Sequence, residues 1–243
     1  MVTHDIHYRE TSARLTCQGR YLEPAWQALR AAHDQLRAYI LQDRNFLHSF
    51  SFVNCSPAAP RIAVHMAAAA GNAGTGPMAA VAGAIGLAVV GALAEAGAKH
   101  VVFENGGDIT MILERAVTVG IYCGPRGPQG LGLRINTLGR ITACCTSSGT
   151  VGHSFSYGRA DAAVVLADDP VLADATATAL GNRLRYPGTR SLKAALQNTP
   201  HQGVRTMIAV MDGKVAYQGE TPAWLITRPF PCPDQKEIRH VPA

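Results

Sequence analysis

Charge is scarce in this chain: Asp, Glu, Lys and Arg make up only 16% of its 243 residues, and none falls between Arg61 and Glu95. A heavily charged surface is thereby excluded, and abundant alanine and glycine point to closely packed helices instead. Runs of Lys or Arg with interleaved aromatics are also lacking. The net charge of +5 therefore does not mark a nucleic-acid surface, and it fits a mildly basic cleft for phosphates or carboxylates. The cysteines Cys17, Cys55, Cys123, Cys144, Cys145 and Cys232 form no C-x-x-C pair. That excludes a zinc ribbon or thioredoxin-type motif and assigns them to the core as small apolar residues. If Cys144 and Cys145 lie in a strand they face opposite sides, one buried and the other toward the following loop. The N-terminal MVTHDIHYRETSARLTC has no apolar stretch ending in a small-residue cleavage site, which gives the expectation of a cytoplasmic protein.

What is present is apolar residue in quantity, 47% of the chain, enough for a large domain or two fused halves. Met78 to Leu93 is apolar enough to raise a membrane span, but its Ala and Gly gain little from lipid and its flanks lack aromatic and basic residues, so a buried helix is expected. Strand signals cover Tyr8 to Gln18, His100 to Glu104, Ile109 to Leu113, Val117 to Tyr122, Leu131 to Asn136, Ile141 to Cys145 and Ala162 to Ala167. A hairpin of Val204 to Met211 and Lys214 to Tyr217 turns on Asp212-Gly213. Helical patterns run from Glu23 to Ile40, from Ile62 to a stop at Gly71-Asn72, from Pro77 to Gly97, from Pro170 to Leu184 with Asp169 as N-cap, and from Ser191 to Gln197. Elements in blocks rather than strict alternation predict an α+β fold, antiparallel sheet backed by helices. One domain is expected, built from two sheet-and-helix-pair halves of about 1–115 and 116–243.

The polar residues with chemical use concentrate in two places. Asp174 and Thr178, four apart on one helix, share a face and offer oxygen ligands of the kind that hold Mg²⁺. The loop Thr146-Ser147-Ser148-Gly149-Thr150 reads either as a polar turn or as an anion nest for phosphate, with His153 close behind to orient a ligand or move a proton. Asn105-Gly106-Gly107-Asp108 reads as a type I′ turn or as a close-approach surface for a ring or ribose. Gly76, in Gly74-Thr75-Gly76-Pro77, stands at a helix start that could receive an anion, but the lysine of a P-loop is absent. Gly152-His153-Ser154-Phe155-Ser156 lacks the last glycine of a serine nucleophile elbow.

Taken together, GTGPMAAVAGAIG (74–86), ENGGDI (104–109), CTSSGTVGHSFSYGRADAAVV (145–165) and LADATATALGN (172–182) resemble an ApbE-like family related to the ApbE flavin transferases. The resemblance covers most of the chain. It implies a duplicated T-fold, two antiparallel sheets each backed by a helix pair. It also implies FAD and Mg²⁺ as ligands, with transfer of FMN to a protein acceptor and the metal on Asp174 and Thr178; the reading of the residues adds His153 and Asp174 as catalytic. The flavin nucleotide would be lined by Asn105, Gly106, Gly107, Asp108 and by Thr146, Ser147, Ser148, Gly149, Thr150. Where that family carries a Lys-Gly motif before the long helix, this chain has GPMAAVAG. Three readings stand: a Mg²⁺-assisted enzyme on a flavin or other diphosphate ligand, a non-catalytic flavin or nucleotide binding module, and a thiol-dependent sulfur-assimilation protein using Cys144 or Cys145. In none of them is nucleic acid or a membrane the partner, and association into a homo-oligomer is left open.

Overall fold

The computed structural model describes residues 1–125, 127–150 and 158–227. Its first half contains β1 (Val2–Tyr8), β2 (Thr11–Cys17), α1 (Leu22–Gln42), α2 (Arg44–His48), α3 (Arg61–Ala73), α4 (Val81–Glu95), β3 (Val101–Asn105) and β4 (Asp108–Ile112). After β5 (Val117–Gly120) and β6 (Leu131–Ile135), the second half contains β7 (Ile141–Ser147), β8 (Ala162–Ala167), α5 (Pro170–Arg183), α6 (Thr189–Asn198), β9 (Val204–Met211) and β10 (Lys214–Gly219). β11 (Trp224–Ile226) then returns to pair with β6. Each half thus places its helices between two strand pairs. The halves join edge to edge at β4 and β7 into one antiparallel sheet of eight strands, ordered β1-β2-β3-β4-β7-β8-β9-β10. A second antiparallel sheet, β11-β6-β5, has three strands. The α+β class expected from the block pattern is what forms.

Strand alternation sends one set of side chains toward helices and the other toward the small sheet. On the helix side, Leu15, Val101 and Phe103 pack with Leu29 of α1 and Ile85, Val89 and Leu93 of α4. Cys145, Val165 and Ala209 pack with Ala177 and Leu180 of α5 and Leu192 and Leu196 of α6. Met66 and Ala67 of α3 form an outer layer over Ala84 of α4 and Val171, Ala175 and Ala179 of α5. On the opposite face Met111, Cys144, Val164 and Ile208 meet Val119, Leu133 and Ile135 of the small sheet. Cys144 and Cys145 do face opposite sides, but both are fully buried, which corrects the expectation that one would look into a loop. The reason is that this part of the sheet is covered on both faces.

The apolar run is a core helix. A 3-10 turn at Pro77–Ala80 leads into α4, which packs on β3, β4, α1 and α5. α3 does not stop at Gly71-Asn72 as expected; it continues to Ala73 and ends at Gly74, whose φ of 75° is left-handed. Gly71 serves packing instead, since a Cβ there would stand 2.6 Å from the Phe52 ring. The two halves are also tied by polar contact: His65 Nε2 of α3 lies 2.9 Å from Asp169 Oδ2, while Asp169 Oδ1 accepts the Val171 N–H and caps α5.

Two glycines of α4 predict opposite responses to the same substitution. At Gly86 a Cβ would stand 2.4 Å from Thr110 Oγ1 of β4, whereas at Gly91 it would meet nothing within 4 Å. Gly91→Ala should therefore stabilise by up to about 1 kcal/mol through helix propensity. Gly86→Ala should cost about 1–3 kcal/mol by overpacking, and chemical denaturation of the two variants measures both. Equal responses would show that α4 does not rest on β4 through Gly86.

Candidate functional site

The polar centre of the fold is a pair of carboxylates brought together by the seam between the halves. Asp174 lies in the second turn of α5 and is 7% exposed. Its Oδ2 accepts the Gly83 N–H at 2.8 Å, and the Ala82 N–H supports the same carboxylate. These are first-turn donors of α4, which have no partner inside their own helix and carry the positive end of its dipole. The approach requires a glycine. A Cβ at Gly83 would stand 2.1 Å from the Pro170 carbonyl oxygen and 2.9 Å from Asp174 Cβ.

Asp108 comes from the other side. Gly106 and Gly107, with φ of 65° and 99°, form a two-residue hairpin turn of the kind that needs positive φ twice, and Asp108 is the first residue of β4 after it. Alternation places it on the same face as Thr110, the helix-facing side. Its Oδ1 accepts the Thr146 N–H at 3.3 Å, and the Cys145 thiol, which donates to the Pro170 carbonyl at 3.9 Å, neighbours the same carboxyl. Burial raises the Asp108 carboxyl well above the usual range, and the neighbouring Asp174 charge adds to it. Burial likewise raises Asp174, to about 7, against the pull of the two α4 N–H groups. Two shielded carboxyls, Asp108 raised further by the charge of Asp174, form a site that takes up a proton or a cation.

Around this pair, Thr178 lies one turn further along α5 and is partly exposed, so the shared face read from the spacing holds. Ser147 continues toward the end of α5, its Oγ 3.1 Å from where a Cβ of Gly181 would be. The rest of the hydroxyl loop is turned to its own neighbours. Gly149 N–H donates to the Ala160 carbonyl at 3.0 Å, Ser148 Oγ to the same oxygen at 3.2 Å, and the Thr150 N–H to Ser148 Oγ at 3.1 Å. At Gly149 the donor an anion nest would use is thus already engaged. Asn105 pairs with Asp108 across the hairpin. Gly76 is packed against the main chain of Ser49, whose carbonyl oxygen fills the space a side chain would need, so its glycine character answers to packing. His153 lies outside the described residues.

The thiol reading meets a physical objection. Burial pushes the Cys144 thiol up to about 12, and burial and the Asp108 charge push Cys145 well above its ordinary value, so neither supplies a thiolate. What the spacing of residues did not reveal is the partnership of Asp108 with Asp174 and of Asp174 with Gly83. Among the described residues no group of three or more His, Cys, Asp and Glu side chains forms a metal cage. Two carboxylates with a hydroxyl nearby nonetheless fit Mg²⁺, which keeps waters and takes ligand phosphates for its other positions.

Comparison with known proteins places this chain in a family. The family profile described as AbpE bacteria matches residues 5–212. The chain is 39% identical to a UPF0280 protein of Methanosarcina acetivorans over 241 residues, 98% of this chain and 91% of that one. It is 41% identical to a UPF0280 protein of Methanocella arvoryzae over 223 residues, 90% and 89% of the two chains. Among solved structures it is similar to the flavin transferase ApbE from Vibrio cholerae, with a TM-score of 0.54 and 13% identity over 89% of this chain and 96% of that one. The chain belongs to the ApbE-like family that the profile describes, and it shares the fold of the flavin transferase.

The raised carboxyls fix a sign. A folded protein that holds protons more tightly than the unfolded chain loses stability as pH rises through the window between the two pKa values, here from the ordinary carboxylate range to about 7 for Asp174. Asp108→Asn removes one charge of the pair. In EDTA it should be more stable than wild type at pH 8, by about 1–2 kcal/mol, with the difference vanishing near pH 4. Thermal unfolding across that range measures it, and an equally stable variant at pH 8 would show that the two charges do not oppose each other.

Proposed function

We propose that this chain binds a flavin or other nucleotide-like ligand with a diphosphate, together with Mg²⁺, where the first turn of α4 and the middle of α5 meet the ends of β4 and β7. The observation that supports this most is the Asp108–Asp174 pair, two shielded carboxyls that burial raises above the usual carboxylate range. Asp174 and Thr178 would hold the ion, with Asp108 as a further carboxylate beside them. Bound there, the ion would neutralise charge on a phosphoryl oxygen.

The protein's own groups set the geometry. The α4 N–H groups hold Asp174 in place, Thr146 N–H holds Asp108, and Ser147 lies beside α5 at the strand end. Pre-set donors of this kind reduce reorganisation when a charged ligand arrives. His153 is assigned the orientation of a reacting group. The reaction class carried over from the flavin transferase is cleavage of FAD and passage of FMN to a protein acceptor. One feature favours a second reading, a binding module without transfer: the segment 74–83 before and into α4 contains no Lys or Arg to meet a phosphate.

Purified protein incubated with FAD and Mg²⁺ should release AMP, detected by chromatography. Asp174→Ala should weaken Mg²⁺-dependent FAD binding by at least about tenfold in calorimetry, the scale on which losses around a metal site are felt. FAD binding without AMP release would select the binding module. Unchanged Mg²⁺-dependent binding in Asp174→Ala would remove the metal assignment.

A further inference from the structure

Cys145 is chemically capable, sits against the carboxylate pair and has no task in the proposed reaction. On β7, Cys144 pairs with Ile109 of β4. Extending that antiparallel register by one residue places Cys145 beside Asp108, with both side chains on the helix-facing side. The thiol is fully buried and donates to the Pro170 carbonyl at the start of α5 at 3.9 Å, with the Asp108 carboxyl as its other polar neighbour. Pro170 is also the residue whose carbonyl α4 approaches at Gly83. Cys145 thus stands where the sheet, α5 and, through Pro170, α4 come together.

A thiol has one proton to donate. Given to Pro170 it only satisfies a backbone carbonyl; given to Asp108 it joins the Thr146 N–H in fixing the direction of a carboxylate. Asp108 has the stronger claim, because a charged acceptor draws a donor more strongly than a neutral carbonyl does. We propose that Cys145 is a positioning residue: its S–H donates to Asp108 and, with the Thr146 N–H, turns the carboxylate so that it meets a divalent cation shared with Asp174. This rests on the metal reading above. It gives the cysteine a role as hydrogen-bond donor, with no bond made or broken at sulfur.

Three substitutions separate donation from filling of space, with Mn²⁺ as the probe ion in calorimetric titrations of folded protein. Cys145→Ser keeps a donor and should retain most of the affinity. Cys145→Ala and Cys145→Val lack one and should each lose about tenfold, as partners behind a metal ligand do. The second measurement needs no metal: at a pH high enough to ionise Asp108, the infrared S–H stretch of Cys145, identified by subtracting the Cys145→Ser spectrum, should move to higher frequency in Asp108→Asn as the acceptor loses its charge. Wild-type affinity in Cys145→Val, or an S–H band that Asp108→Asn leaves in place, overturns the proposal. If wild type takes up no Mn²⁺, the metal reading fails and Cys145 loses its part in it, while the infrared band alone still decides whether the thiol holds Asp108.

Discussion

The hydrogen bond from Gly83 N–H to Asp174 Oδ2 is the contact on which the arrangement of the two halves turns. It joins a helix of the first half to a helix of the second at a point where both are buried. A carboxylate in such a place is costly unless donors meet it, and the first turn of α4 supplies two that its own helix leaves unused. The bond exists only because residue 83 has no side chain, since any Cβ would run into Pro170 before the N–H reached the carboxylate. Substitution there would disturb fold and site together.

The same seam explains why the site is shielded and why its thiols are raised. β4 and β7 are neighbours in the middle of the eight-stranded sheet, with helices on one face and the small sheet on the other. Covering both faces buries both adjacent cysteines and raises their thiols, which works against the thiolate that sulfur chemistry would need. It also shields Asp108 and Asp174 from water, so that each feels the other's charge. One packing decision thus silences the thiols and sensitises the carboxylates.

Much of the fold was legible in the sequence because its signals are local. The Asp212-Gly213 and Gly106-Gly107 turns, the Asp169 cap and the Gly97 stop each act through neighbouring residues, and each stands where the pattern put it. β1 is legible in the sequence only from Tyr8 onward, because this edge strand buries Ile6 alone and leaves its first four residues exposed, too little alternation to read. The stop of α3 was placed early because Gly71 looks like a terminator unless the ring of Phe52 is known to lie on it. At the site, the Asp174–Thr178 spacing is visible in the sequence, but Asp108 reads there only as part of a turn against a ligand. Its partnership with Asp174 is set by strand pairing and helix packing across the seam, and no local pattern carries that information.

The central claim is that the carboxylate pair is a cation site serving a bound diphosphate ligand. A crystal grown with Mn²⁺ and FAD, with diffraction collected at the manganese absorption edge, tests it directly. The account predicts an anomalous peak in contact with both Asp108 and Asp174 and with a phosphate oxygen of the ligand. Ligand density with the manganese bound elsewhere, or a pair that stays free of manganese when FAD is in place, would contradict it.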